Sequence, residues 1–334
     1  MRMVNMTIKE IAEILGVSTA TVSRVLNKSG GYSDKTEKRV LSVLEKYNYQ
    51  TNVMAKGLRT KSTKSVAVIL PDMANEYFAK IALAIENYLM PKGYSINIYN
   101  TSADINKEQV ILRDLQSRGV DGIIYISGDQ GLPNESLKHN IPVVCVNQLE
   151  DLGQEVTVIE SDNNHGGYLA TDLLLKNGCQ NILLLRDERH IIPVDERQKG
   201  YEKALKENHK PVKDDLIRRI SFDVTEAQRS IEEVIKEGIM FDAVFASSDL
   251  LAIGALKALQ KKELKVPNDV QVIGFDNVTF SMYSNPSLST IHQDTQELGT
   301  QAAKYLFDWM EKSILPSHSR TVIPVGLVKR ETTK

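Results

Sequence analysis

Between residues 62 and 334, short β-branched runs recur with helical stretches between them: "SVAVILP" (65–71), "YSINIYN" (94–100), "VDGIIYIS" (120–127), "IPVVCVN" (141–147), "NILLLRD" (181–187), "DAVFASSD" (242–249) and "VQVIGFD" (270–276). Several are apolar at nearly every position rather than at every second one. Such a run needs cover on both faces, the condition of a strand inside a parallel sheet flanked by helices. The runs fall into two series, which predicts two similar α/β lobes with a cleft between them. The lobes are alike in architecture, not through a sequence repeat, and no low-complexity segment interrupts either. In sheets of this kind ligands sit beyond the carboxyl ends of the strands.

Polar residues gather at those ends: Asp72 and Asn75, Ser127, Asn147 and Gln148, Asp187, Ser247 to Asp249, and Asp276 with Asn277. Loops are polar in any case, so no single one of these is informative. Their shared position after strands favours a cleft. Tyr77, Phe78 and Phe275 lie near the same ends and offer flat apolar faces to the C–H side of a sugar ring.

The 334 residues hold more than one domain's worth of chain. No apolar run approaches the roughly 20 residues needed to span a bilayer, and the N-terminus has no apolar h-region. Neither a membrane association nor export is expected, which makes the chain cytoplasmic. Cys145 and Cys179 both sit in or beside apolar segments and read as reduced core residues, not as a disulfide. The net charge of −2 conceals an asymmetry. Residues 1–61 carry eleven Lys and Arg against five acids, a net +6, and the remainder carries 30 against 38, a net −8. A small basic head on an acidic body suits phosphate neutralisation, although a basic face alone is more often merely solvated.

The head supplies the motif. Thr7 followed by Glu10 fits a capping box, and Ile8, Ile11, Ala12 and Leu15 recur at helical spacing. Gly16-Val17 breaks that helix, and Ser18 caps a second one bearing Val22, Val25 and Leu26. A third helix is expected from a Ser33 cap to about Tyr47, with Val40, Leu41, Leu44 and Tyr47 pointing inward. The pattern is a helix-turn-helix with a supporting helix. An ordinary αα-hairpin would leave the small polar face of Thr19, Ala20, Ser23 and Arg24 unexplained. That face suits the DNA major groove: Thr19 and Ala20 reach base edges and Arg24 pairs with a guanine. Ser18, Thr21, Ser23 and Asn27 are short donors suited to phosphates. Thr7 and Ser33, at helix N-termini, bring backbone N–H groups to phosphates.

"VSTATVSRVLN" (17–27) and "YNYQTNVMAKGLRTKSTKSVAVILPD" (47–72) resemble the LacI/GalR family of bacterial transcriptional regulators, and the resemblance extends over essentially the whole chain. It implies an all-α helix-turn-helix head (1–50), a hinge helix and linker (51–62), and a periplasmic-binding-protein-like α/β sensor of two parallel-sheet lobes (63–334). Lobe 1 would comprise about 63–162 and 293–322, lobe 2 about 163–292 and 323–334. By family position Leu58 is the hinge wedge into the minor groove, flanked by Asn52, Ala55 and Lys56; the unstacking cost of such a wedge is offset by a bent, better-contacted duplex. Thr51 stands where many relatives have Pro. Gly57 sits inside the presumed helix at a cost of up to about 1 kcal/mol relative to Ala. A hinge that orders less readily off DNA is the expectation, and unchanged operator affinity in Gly57→Ala would count against it.

Within the family the body looks most like the ribose operon repressor subgroup and ribose-binding proteins, through "LPDMANEYF", "VDERQKGYEKAL", "VQVIGFDN" and "LSTIHQ". The resemblance implies that Asn75 and Phe78 touch the sugar from the first lobe, and that Arg197, Phe275, Asp276 and Gln293 do so from the second lobe and the crossovers. The departures bear on the ligand. An Asp-Arg pair that clamps sugar hydroxyls in ribose binders is Asn147-Gln148 here, and the Asn after the "FAS" strand is Ser248. Two charge-assisted hydrogen bonds are thereby lost, each worth about 1.5–3 kcal/mol. Glu76 also replaces the subgroup's usual Pro after Asn75.

Catalysis finds no support: the six His show no metal spacing, and there is no GxSxG elbow, P-loop or GxGxxG after a strand. No enzyme, metal or cofactor is expected. The expectation is a repressor of carbohydrate-utilisation genes, a homodimer on a pseudo-palindromic operator, controlled by a small sugar with ribose as the first guess. Two alternatives stand beside it. One is a catabolite-control-type regulator governed by a phosphorylated partner protein, since "VDGIIYISG" and "VIGFDN" also occur in that subgroup. The other is a sugar receptor that binds no DNA, against which the basic head argues.

Overall fold

The structure, a computed structural model, describes residues 6–47, 49, 62–126, 141–147, 157–189, 191–312 and 320–334. The chain divides into two compact units, Met1–Thr63 and Lys64–Lys334.

The first unit holds α1 (Ile8–Leu15), α2 (Thr19–Leu26) and α3 (Asp34–Lys46), capped by Thr7, Ser18 and Ser33. Thr7 and Glu10 close the reciprocal capping box, and Gly16 ends α1 at φ 64, a left-handed turn that glycine enters without steric cost. Ile11, Ala12, Leu15, Val22, Val25, Val40 and Leu44 form the core. The inward face of α3 is narrower than the sequence reading has it. Val40 and Leu44, one turn apart, are buried, whereas Leu41 is 49% and Tyr47 43% exposed. Three short helices enclose room for one stripe of α3, and Tyr49 and Val43 fill its margin.

The second unit contains two six-stranded sheets. Lobe 1 has β1 (Ser65–Leu70), β2 (Ser95–Asn100), β3 (Gly122–Ile126), β4 (Val143–Val146), β5 (Thr157–Ser161) and β11 (Arg320–Ile323), in the order β11-β5-β4-β3-β1-β2, all parallel. Lobe 2 has β6 (Ile182–Asp187), β7 (Ile217–Ile220), β8 (Ala243–Ala246), β9 (Gln271–Asp276), β10 (Ser289–Gln293) and β12 (Val325–Val328), in the order β12-β10-β9-β8-β6-β7. Only the β10–β12 pair is antiparallel among these described strands.

Side chains alternate between the two faces of each sheet, so each lobe has two cores. In lobe 1, Val66, Val68 and Leu70 pack under α4 (Glu76–Leu89) and α11 (Thr295–Lys312), while Ala67 and Ile69 face Leu112 and Leu115 of α5 (Ile105–Arg118). In lobe 2, Leu183, Leu185 and Val244 pack under α8 (Val224–Lys236) and α9 (Asp249–Lys261). Ile182, Leu184 and Phe245 face α6 (Asn163–Lys176) and α7 (Ile192–Glu207) on the other side. A short α10 (Thr279–Tyr283) follows β9.

The chain passes between lobes after β5, after β10 and between β11 and β12. The seven apolar runs mark β1–β4, β6, β8 and β9. Of the others, β7 and β10 carry polar residues for identifiable reasons. β7, reading IRRI, is an edge strand, and in β10 the buried Ser289 and Thr290 are matched by Thr333 and Asp249. Among the described residues no helix is long and apolar enough to cross a membrane.

Candidate functional site

In the first unit, Ile8, Thr19, Ala20, Ser23, Arg24, Asn27 and Ser29 line a shallow open concavity of about 600 Å³. Thr19, Ala20, Arg24 and Asn27 are exposed on it. The remaining polar candidates serve the helix ends. Ser18 Oγ accepts from the Thr21 N–H at 3.1 Å and pairs with the Thr21 hydroxyl at 2.9 Å. Ser33 Oγ accepts from the Thr36 N–H. Thr7 donates its N–H to the Glu10 carboxylate at 2.6 Å, which holds that carboxyl below its usual range. Asn27 Nδ2 donates to the Ser23 carbonyl at 2.7 Å. Ile8 and Ser29 join this surface unforeseen, Ile8 from α1 and Ser29 from the turn after α2, where its N–H donates to the Arg24 carbonyl at 3.0 Å. The hinge candidates Asn52, Ala55, Lys56 and Leu58, with Thr51 and Gly57, lie outside the described residues.

In the second unit a cleft of about 330 Å³ opens between the lobes. Asn75, Tyr77, Phe78 and Asn147 line it from lobe 1, and Arg197, Ser248 and Asp276 from lobe 2. Asn147, Ser248 and Asp276 stand at or just after strand ends, as expected for open α/β sheets, while Tyr77 and Phe78 come from the first turn of α4 and Arg197 from within α7. Asn147 follows β4 at φ 66, and Asp276 ends β9 at φ 111, a region that non-glycine residues rarely occupy. Asn75 and Ser248 are also helix N-caps, accepting from the Tyr77 N–H at 3.0 Å and the Leu251 N–H at 3.3 Å.

Arg197 is the centre of the polar network and is itself buried. Its Nη1 donates to the Ser247 carbonyl at 2.6 Å and lies 3.8 Å from Asp276 Oδ1, while Nε donates to Asn163 Oδ1 at 2.9 Å. Burial lowers its pKa, and Asp276, the largest opposing influence, raises it. Asp276 Oδ1 also accepts from Gln293 Nε2 at 2.6 Å, and Gln293 Oε1 accepts from the Tyr77 hydroxyl at 3.2 Å. Burial raises the Asp276 carboxyl above the usual range despite Arg197 and Gln293. It also raises Asp249, which Asp276 pushes in the same direction. The Tyr77 hydroxyl is pushed up to about 12, mainly by burial.

Two candidates do not face the cleft. Phe275 belongs to the lobe 2 core, because β9 alternates and its side chain falls opposite to that of Asp276; its ring centroid lies 3.8 Å from the Arg197 guanidinium. Gln293 is 1% exposed and reaches the cleft through Asp276 and Tyr77. Ser127 and Gln148 lie outside the described residues. The cleft also includes residues the candidate set lacks: Pro71, Asp72, Ser102, Ala103, Asp187, Arg189, Ile191, Pro193, Val194, Phe222 and Ser247. Asp72, Asp187 and Ser247 carry the strand-end signal. Arg189 and Phe222 carry none, since the turn after β6 and the edge strand before Phe222 bring them in.

Residues 63–331 match the family model of periplasmic binding proteins and sugar binding domain of the LacI family, and residues 7–52 that of bacterial regulatory proteins, lacI family. A ribose operon repressor of Halalkalibacterium halodurans is 33% identical over 329 residues, covering 98% of this chain and 97% of that protein. Catabolite control protein A of Priestia megaterium is 32% identical over 333 residues, covering 99% and 100%. Among solved structures, the Lac repressor dimer bound to operator and the anti-inducer ONPF superimposes with a TM-score of 0.88 at 25% identity, over 99% of each chain.

Proposed function

Because the chain belongs to the LacI family of bacterial regulatory proteins, we propose that it is a repressor of carbohydrate-utilisation genes controlled by a small sugar, ribose-like in the first instance. It binds a pseudo-palindromic operator as a homodimer, with Thr19, Ala20 and Arg24 at base edges. The sugar enters the cleft between the lobes. The observation that carries this reading is the Arg197–Asp276–Gln293–Tyr77 chain at the cleft. It presents buried donors and acceptors to a polar ligand and joins lobe 2 to lobe 1. A ligand that prefers one arrangement of the lobes is thereby coupled to DNA, and DNA reciprocally to the ligand.

Exposed apolar side chains support the dimer. Phe280, Met282 and Tyr283 are 68%, 55% and 78% exposed on the short α10, and apolar surface of that kind is covered by a partner. The Lac repressor it resembles is a dimer on its operator, and a self-complementary dimer suits a palindrome.

The test is thermal unfolding of the full chain against pentoses, hexoses, their phosphates and purines. A ligand at 100 times its dissociation constant adds about 2.7 kcal/mol of stability. A shift with ribose supports the reading in full, and a shift with a different sugar keeps the regulator but changes its ligand. Silence across the panel turns the reading to control by a partner protein.

A further inference from the structure

We propose that Asp187 and Arg189 form a hydroxyl clamp on the lobe 2 wall of the cleft, fitting an uncharged sugar and rejecting its phosphate esters. The inference rests on the sugar reading above and specifies the class of sugar. Asp187 closes β6 and is 1% exposed. Arg189 Nε donates to both of its carboxylate oxygens, at 3.1 and 2.9 Å, and Nη2 donates to Oδ2 at 2.5 Å. Both residues line the cleft. A carboxylate beside a guanidinium offers an acceptor and a donor a few ångströms apart, the complement of two neighbouring hydroxyls. Each hydroxyl donates to one partner and accepts from the other.

The pair is built to hold its place. Arg186, buried behind it, donates from Nε to the Asp187 carbonyl at 2.9 Å and from Nη2 to the Arg189 carbonyl at 3.1 Å. Asp195 at 2.7 Å and Gln198 at 2.6 Å hold the Arg186 guanidinium in turn. A turn fixed from behind loses little freedom when a ligand arrives. On the opposite wall stands the neutral Asn147, and the ion pairs among the described cleft residues, Arg189–Asp187 and Arg197–Asp276, both lie on lobe 2.

The charges also decide against an anion. Among the described residues lining the cleft, the charged ones are Asp72, Asp187 and Asp276 against Arg189 and Arg197. Arg189 already faces Asp187, and Arg197 faces Asp276. The helix N-termini at the cleft do not redress this, because Asn75 and Ser248 cap two of them and α7 carries Pro in its first turn. A phosphate ester would meet carboxylates without a cation to itself.

The experiment is isothermal titration calorimetry of the full chain with D-ribose, D-fructose and D-glucose and a phosphate ester of each. Wild type, Arg189→Met and Asp187→Asn are compared. At least one uncharged sugar binds the wild type, and its ester binds at least ten-fold more weakly. Arg189→Met weakens the sugar by about 10–100-fold, the loss of one or two charge-assisted hydrogen bonds. Asp187→Asn narrows the gap between sugar and ester. If the buried Asp187 variant fails to fold, the half-exposed Arg189 variant still decides the matter. Sugar affinity within twofold of wild type in Arg189→Met overturns the clamp, as does an ester that binds the wild type as tightly as its sugar. Silence with every probe overturns the sugar reading itself and the clamp with it, a pattern distinct from sugar binding that ignores the substitution.

Discussion

The Glu76 carboxylate, at the first residue of α4 in lobe 1, accepts from the Thr279 backbone N–H at 2.9 and 3.0 Å and from the Thr279 hydroxyl, at the first residue of α10 in lobe 2. Lys80 pairs with the same carboxylate at 2.5 Å. One side chain therefore ties the helix that carries Asn75 and Tyr77 to the helix that exposes Phe280, Met282 and Tyr283. The Pro usual at this position in the ribose subgroup has no side chain for that contact.

Glu76→Gln or Glu76→Pro is expected to cost about 1–2 kcal/mol of stability and to change effector affinity without touching the cleft. Burial would raise the Glu76 carboxyl, but hydrogen bonds from Lys80 and Thr279 outweigh it and lower the pKa. The tie is present above the ordinary carboxylate range and is lost as pH falls through the lowered value. Stability curves for wild type and Glu76→Gln should converge below about pH 4. Curves that stay parallel to the acid limit would refute the assignment.

Gly167→Ala is expected to destabilise by about 1–3 kcal/mol or more. A Cβ at Gly167 would stand 2.1 Å from the Arg197 backbone oxygen, and one at Gly200 2.1 Å from that of Asn164. The α6–α7 crossing has no flexible side chain to yield, so the helix carrying Arg197 must move. Loss of effector affinity together with a lowered Tm is the expected pairing. A Tm unchanged from wild type would show that the crossing can relax.

Asp276 and Asp249 are both raised, chiefly by burial. The folded chain therefore holds protons that the unfolded chain has released, and stability from this pair is full below about pH 4 and falls as pH rises through the raised values. In Asp276→Asn the decline between about pH 4 and neutrality should flatten, while the Gln293 hydrogen bond can persist to Asn Oδ1. Equilibrium unfolding in urea across that range measures it, and an unaltered slope would place the titration elsewhere.

Arg24→Ala is expected to relax specificity at one operator base pair by about 1–3 kcal/mol, with smaller effects elsewhere. A competition series over single-base operator variants reads this out. Equal weakening on every sequence would make Arg24 a phosphate contact instead. Thr7→Ala, by contrast, should lower head stability by about 1 kcal/mol through loss of the cap, leaving base preference alone.

Local chemistry was readable in the chain itself. The Thr7, Ser18 and Ser33 caps, the Gly16 turn and the seven apolar strands each depend on neighbours within a few residues or on a burial pattern with a fixed period. The two parallel-sheet lobes followed, as did a cleft at their strand ends containing Asn75, Tyr77, Phe78, Asn147, Ser248 and Asp276, whereas Arg197, inside α7, was marked only by the family resemblance. Which face a residue takes at the end of a strand is a matter of one step in register. That step, invisible in composition, turned Phe275 into the core beneath Arg197 and left Asp276 in the cleft. Leu41 and Tyr47 turned outward because a three-helix head has volume for one stripe. Arg189 and Phe222 came to the cleft through a turn fixed by Arg186 and an edge strand too polar to announce itself. Glu76 found Thr279 203 residues away. Periodicity and capping are set by adjacent residues, whereas pairings across the cleft arise only when the chain has crossed between lobes and brought distant charges into low dielectric.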